Sequence, residues 1–146
     1  MVRSAIIGAA ALLAASPVLA ASADEEAARA ALAQRFAPLD KVAEDGWEQA
    51  TPTPLYLAAA TDKAAGAPLN LKPGSYRIVV FCDCNAMQVT LVAPDSSTVP
   101  PERSDTKGAM YSLDVHDAGS YLTGVDMDDC AKPQCEIAVK VYRKKT

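Results

Sequence analysis

The chain has 146 residues, a net charge of −4 at neutral pH, few aromatic residues and a single histidine. Nucleic-acid binders usually carry a basic face, so an acidic balance argues against that class, and we expect no nucleic-acid partner. The length is sufficient for one domain with a substantial core.

Residues 1–20 have the order of a secretory signal peptide. A basic residue, Arg3, precedes an apolar run over residues 5–15, and small residues follow. Cleavage after residue 20 fits an A-x-A-like site, as does cleavage as late as residue 23. The apolar run is shorter than the roughly 20 residues of a membrane-spanning helix, and no basic stop-transfer flank follows it. We therefore expect a periplasmic or secreted bacterial protein, with no membrane span after signal removal.

Residues 22–50 are predicted to form a helical segment. Ser22 and Glu25 have the spacing of a capping box ahead of an Ala-rich run. Apolar residues then recur at three- and four-residue spacing on one helical face: Leu32, Phe36, Leu39 and Val42. Pro38 is expected to interrupt this helix or to start a second one. The helical pattern ends at residues 45–47, and the prolines of residues 51–54 indicate a linker or an extended edge.

From residue 55 onward the apolar residues recur with a period of two. Tyr76, Ile78 and Val80 share one face of a strand, and Val79 and Phe81 make its other face apolar, so this strand should be central. Four later segments alternate apolar with polar or small residues: 87–91, 111–116, 121–127 and 137–142. Such strands belong to antiparallel sheets with one solvated side. Residues 55–146 are therefore predicted to form a β-sandwich domain.

Two stretches that each precede a strand, "KPGSYRIVV" and "DAGSYLTGV", share Gly-Ser-Tyr. A wider pattern includes these two stretches and consists, in chain order, of Leu71, Gly74 and Tyr76, then Met87, Val89, Leu91 and Asp95, then Gly119 and Tyr121. Because of this pattern, residues 55–143 resemble the secreted bacterial modules of the pre-peptidase C-terminal (PPC) type. The resemblance implies a jelly-roll-like β-sandwich and an accessory role. The usual acidic alternation of those modules is replaced here by "MQVTL", so calcium or ligand roles are not carried over.

Four cysteines, Cys82, Cys84, Cys130 and Cys135, follow the predicted signal. An even number in an exported domain favours disulfides. Residues i and i+2 of a strand lie about 6.6 Å apart, so a Cys82–Cys84 bond would need the strand to break into a turn. Three pairings are open, and the sequence does not choose among them. Bonds between the two regions would close a loop of about 50 residues, worth roughly 4 kcal/mol, and we expect that arrangement.

Two other roles for the cysteines are open from the sequence. C-x-C with C-x₄-C offers four soft ligands for zinc or copper(I), although structural zinc sites usually have C-x₂₋₄-C spacing. A redox-active pair would be indicated by C-x-x-C next to a βαβ pattern, and this chain has neither. An oxidising compartment favours disulfides over both.

The acidic stretch of residues 126–129 is the candidate cation site. Asp126, Asp128 and Asp129, with Asp83, could offer carboxylate oxygens to calcium, but EF-hand spacing is missing. We expect a solvated loop and no metal or other cofactor; if a cation binds, these four residues are its ligands.

Catalysis has little support in the sequence. His116 follows Ser112 and Asp114 on one strand face, and residues so placed do not converge as a catalytic triad does. We expect a non-enzymatic, disulfide-stabilised binding or accessory module, with an unknown envelope protein or polymer as its partner. The alternative is a small cation-dependent enzyme, or a calcium-binding module, that uses the acidic loop 126–129.

Overall fold

The computed structural model of the protein describes residues 22–146; the predicted signal peptide, residues 1–20, lies outside them. Within this range one helix precedes ten strands: α1 (Ala23–Ala43), β1 (Trp47–Gln49), β2 (Leu55–Ala59), β3 (Lys63–Leu71), β4 (Gly74–Cys82), β5 (Ala86–Val92), β6 (Thr98–Val99), β7 (Arg103–Asp105), β8 (Gly108–Val115), β9 (Gly119–Asp129) and β10 (Cys135–Lys144). In this part of the chain, no helix has both the length and the apolar character needed to cross a membrane.

Helix α1 begins with the predicted capping box. The Ser22 hydroxyl accepts a hydrogen bond from the Glu25 backbone N–H, and the Glu25 carboxylate accepts one from the Ser22 backbone N–H. The expected break at Pro38 is wrong, because the helix continues through Pro38 to Ala43. The predicted end at residues 45–47 is also wrong, since Trp47 opens strand β1.

One face of α1 is buried, and it differs from the predicted face at a single position. Leu32 and Phe36 are buried as expected, but Val42 is 61% exposed and Ala43 takes its place. Three helical turns take about 10.8 residues. Residue 43 therefore lies almost directly above residue 32, whereas residue 42 is rotated away from it.

The strands form two antiparallel sheets. Sheet A has the order β1-β10-β4-β8-β7, with β2 also paired to β10, and sheet B has the order β3-β9-β5-β6. The expectation that residues 76–81 form a central strand is confirmed, since β4 lies between β10 and β8. Helix α1 packs on the side of sheet A that faces away from sheet B, against residues of β4 and β10.

The core lies between the inner faces of the two sheets. Sheet A contributes the alternate residues of β4 and β10, including Ile78, Val80, Ile137 and Val139, which are all at most 1% exposed. Sheet B contributes the matching positions of its central strands, chiefly Leu91, Val125 and Met127. The predicted fold class is confirmed: a mainly β, antiparallel β-sandwich preceded by an N-terminal helix.

The outer face of sheet A departs from the expectation of a solvated side. Ala138, Lys140 and Tyr142, the alternate residues of β10, are all buried, because α1 covers them. Phe36 is the main helix residue at this contact, and its ring lies 4.9 Å from the ring of Phe81. The sheet is therefore buried on both faces where the helix crosses it.

Candidate functional site

The cysteines form two local pairs, so the expectation of bonds between the two regions is wrong. Cys82 pairs with Cys84 at a Cα separation of 5.2 Å, and Cys130 pairs with Cys135 at 5.9 Å. Strand β4 ends at Cys82 and the backbone bends over residues 83–85, which is the break that an i, i+2 bond requires. The second pair spans the turn between β9 and β10.

The two pairs are neighbours at one end of sheet A. Cys82 lies opposite Ile137 in the register of β4 with β10. One residue further, the Asp83 N–H donates to the Glu136 carbonyl, and the Glu136 N–H donates to the Asp83 carboxylate. Cys82, Cys84 and Cys135 belong to one buried core cluster and Cys130 packs against it, so all four sulfur atoms lie in one region of the core.

The predicted acidic loop is part of a strand. Asp126, Asp128 and Asp129 belong to β9 and are exposed, while the inner positions of that strand are buried. Asp83 lies between β4 and β5, and its carboxylate accepts a hydrogen bond from Lys132 Nζ at 2.7 Å. Among residues 22–146, no group of three potential ligand side chains is close enough to hold a metal ion. The four carboxylates proposed as a conditional cation site are therefore not assembled into one.

The single histidine also stands apart from the groups beside it in the sequence. His116 is exposed just after the end of β8. The Asp114 carboxylate accepts a hydrogen bond from Ser75, and the Ser112 hydroxyl donates to Glu102. Ser112 and Asp114 thus have separate hydrogen-bond partners, and neither partner is His116.

A cleft lies between one edge of each sheet, and we call it the edge cleft. Its walls are residues 48–55 and the second half of β10 on the side of sheet A, and residues 68–72 on the side of sheet B. The edge cleft has a volume of about 730 Å³. Its floor is apolar and continuous with the core: Leu69, Leu71, Val139 and Val141.

The charged groups of the edge cleft are Glu48, Lys72 and Arg143. The Arg143 guanidinium lies over the Tyr76 ring, 5.9 Å from its centre, and donates one hydrogen bond, from Nη2 to the Pro73 carbonyl at 2.9 Å. Its Nε is buried and has no hydrogen-bond partner among the described residues. The guanidinium that lines the cleft is therefore held in place by Pro73 and Tyr76.

The first Gly-x-Tyr element of the sequence accounts for the position of this arginine. Gly74 has φ +152°, and a Cβ atom there would lie 2.9 Å from Arg143 Nε, so only glycine lets the guanidinium approach the backbone this closely. The Tyr76 hydroxyl donates to the Lys72 carbonyl at 2.9 Å, which holds its ring beneath the arginine. The sequence identified Gly74 and Tyr76 as a motif but did not connect them with Arg143.

A second charged cluster, also missed from the sequence, lies under the helix. Lys140, of which 4% is exposed, donates to Asp40 of α1 at 2.7 Å, and the Tyr142 hydroxyl donates to the same carboxylate oxygen at 2.8 Å. Burial, together with the neighbouring Asp40 carboxylate, raises the pKa of Tyr142 far above its ordinary value. These three groups are hydrogen-bonded to one another across the helix–sheet contact, so we assign them to helix docking.

The two half-buried aromatic residues beside the helix are covered by arginines. The Arg77 guanidinium lies 4.6 Å from the centre of the Trp47 ring, and that of Arg29 lies 5.1 Å from the centre of the Tyr56 ring. Arg29 also pairs with the buried Glu136. These rings are therefore elements of the helix–sheet contact and are not open stacking platforms.

Similarity to known proteins offers no guide to the role of the edge cleft. No family model matches the chain, and no curated protein matches it either.

Proposed function

We propose that the protein is an exported, disulfide-stabilised, non-enzymatic binding module of the bacterial periplasm or cell envelope. Its ligand is an extended segment of an envelope protein, held in the edge cleft. The observation that carries this proposal is the cleft itself, which combines an apolar floor with a guanidinium held in its wall.

The shape and chemistry of the walls favour an extended polypeptide. Strand β3 is an edge strand of sheet B, and its side away from β9 has no strand partner among the described residues. Peptides commonly bind by adding to such an edge, with alternate side chains entering apolar pockets. Leu69 and Leu71 of β3 are the floor residues that such side chains would contact, and the exposed Asn70 between them lines the same wall.

The charges of the cleft indicate an acidic group on that segment. Arg143 and Lys72 outnumber Glu48, so the cleft is cationic on a chain whose net charge is −4. A carboxylate on the ligand would form a charge-assisted contact with the Arg143 guanidinium that lines the cleft. An acidic ligand would also be steered away from the rest of this acidic surface and towards the cleft.

The proposal also includes export from the cytoplasm and a relationship to PPC-type modules. The leader-like residues 1–20 and the even number of cysteines support a periplasmic or secreted location. The sandwich fold, and the place of Gly74 and Gly119 at the starts of β4 and β9, support a relationship to PPC-type modules. The cation-dependent alternative loses its support, since the described carboxylates of residues 126–129 are splayed along a strand.

The proposal is tested by affinity capture from envelope extract with matched variants. Tagged protein, Arg143→Gln and Arg103→Gln are compared, where Arg103 is an exposed arginine of the distant edge strand β7. Loss of one charge-assisted hydrogen bond, worth about 1.5–3 kcal/mol, should weaken capture of the partner by roughly 10- to 100-fold in Arg143→Gln only. A partner retained equally by all three proteins, or retained by none, would overturn the proposal. Equal melting temperatures of the variants would serve as the folding control.

A further inference from the structure

The two disulfides differ in their access to solvent. Cys82, Cys84 and Cys135 are buried, each at most 2% exposed, and belong to the main core cluster. Cys130 is only partly buried and packs at the edge of that cluster, next to residues 131–134, which are all exposed. An external thiol can therefore reach the pair only through Cys130.

When the Cys130–Cys135 bond opens, the buried Cys135 sulfur is freed in the core cluster that also contains the Cys82–Cys84 disulfide. The β4–β10 register ends with Cys82 opposite Ile137, and the Asp83–Glu136 hydrogen bonds extend the contact by one residue, so Cys84 and Cys135 each adjoin the last bonded pair. Cys84 and Cys135 are both at most 2% exposed and belong to the same core cluster, so a bond between them would form within the core.

We propose that the two disulfides form a thiol–disulfide exchange site, in which Cys130 accepts attack by an external dithiol and Cys135 passes the exchange to Cys84. The thiolate of the dithiol bonds to Cys130 Sγ, and Cys135 leaves with the electron pair of the broken bond. The Cys135 thiolate then bonds to Cys84 Sγ and displaces Cys82, which takes a proton from water. The second thiol of the dithiol attacks the mixed disulfide and releases Cys130 as a thiol.

The electrons balance over these steps. The dithiol is oxidised to a disulfide, and the protein changes from two disulfides to one, the cross-strand Cys84–Cys135 bond, with Cys82 and Cys130 as thiols. The inference does not depend on the edge cleft, which is formed by other residues. The sequence did not indicate this exchange, because C-x-C and C-x₄-C lack the usual redox spacing and only the fold brings them together.

Peptide mapping tests the exchange. Trypsin cleaves at the arginines and lysines that bound fragments 78–103 and 108–140, each of which contains one native disulfide. Oxidised protein should yield the two fragments unlinked. With limiting dithiothreitol followed by alkylation, they should become joined, and cleavage before Asp83 should show that Cys84, and not Cys82, makes the link.

Two single variants provide the matched comparison. Cys130→Ser leaves Cys135 as a thiol next to Cys84, so joined fragments should form without any reductant. Cys135→Ser leaves the partly exposed Cys130 instead, and its monomer should contain no joined fragments. The inference would be overturned if neither the dithiothreitol-treated parent nor Cys130→Ser yielded joined fragments. It would also be overturned if the fully oxidised parent already contained them. If a variant does not fold, the dithiothreitol-treated parent protein still tests the inference.

Discussion

Removal of Asp40 should destabilise the protein much more than removal of Lys140, although the two residues form one ion pair. Asp40→Ala leaves the Lys140 ammonium, whose side chain is 5% exposed, without its partner, and leaves the Tyr142 hydroxyl without its acceptor. Loss of one partner of a buried pair costs about 3–5 kcal/mol. The Asp40 side chain is 28% exposed, so water screens part of the interaction, and alanine restores up to about 0.7 kcal/mol of helix propensity. We expect a net loss of about 2 kcal/mol.

Lys140→Met should cost less than about 1 kcal/mol. Methionine fills a similar volume near the rings of Phe36 and Tyr142, where the ammonium now lies 5.7 Å from each ring centre. Asp40 keeps the hydrogen bond from Tyr142 and is solvated on its exposed side. Buried ion pairs replaced by apolar groups are often neutral for stability.

Urea unfolding measures this difference directly. The fluorescence of Trp47, the single tryptophan, reports on the helix–sheet contact, and far-ultraviolet circular dichroism reports on the whole domain. Both probes should give the same midpoint if α1 and the sandwich unfold together. A Lys140→Met loss equal to or larger than that of Asp40→Ala would refute this account of the cluster.

Three further predictions concern the disulfide, the cleft and alkaline pH. Replacement of both Cys130 and Cys135 by serine should lower the free energy of unfolding by about 2 kcal/mol in oxidising buffer, because the closed loop is short; a loss near 4 kcal/mol would instead indicate a long-range bond. Gly74→Ala should cost about 1–3 kcal/mol through backbone strain at φ +152°, and an unchanged melting temperature would show that this strain is absent. Because the folded pKa of Tyr142 is raised, its contribution is present below the ordinary tyrosine pKa of about 10 and is lost as the pH rises above it. Tyr142→Phe should therefore make stability fall less steeply above pH 10, and identical slopes for the variant and the parent would contradict this.

The sequence predicted the inner faces of the sandwich well. Period-two alternation depends only on which side of a strand is buried, so Ile78, Val80, Ile137 and Val139 could be assigned to the core without knowledge of the topology. The apolar second face of residues 79–81 likewise indicated a central strand, which β4 is.

The outer face of β10 could not be read in the same way. Ala138, Lys140 and Tyr142 alternate as a solvated side would, and only the tertiary packing of α1 buries them. The partner of Lys140 is one hundred residues away in the sequence, on the helix. No local sequence pattern indicates that Lys140 pairs with Asp40.

The cysteine pairing was missed for a local reason. The strand geometry assumed for Cys82 and Cys84 keeps their side chains parallel, whereas the backbone bends immediately after Cys82. The edge cleft was missed because it depends on the tertiary fold. It forms where residues 48–55 and 68–72 lie across from each other on different sheets, and its arginine comes from the last strand.

Site-directed photocrosslinking tests the proposed binding function most directly. A photoreactive residue in place of Asn70, in the wall of the edge cleft, is compared with one in place of the exposed Asn85, which is outside it. In cells that export the protein, the Asn70 position should give a discrete adduct with another envelope protein, and Arg143→Gln should abolish that adduct. Adducts of equal yield from both positions, or an Asn70 adduct that survives Arg143→Gln, would contradict the assignment of the edge cleft as the binding site.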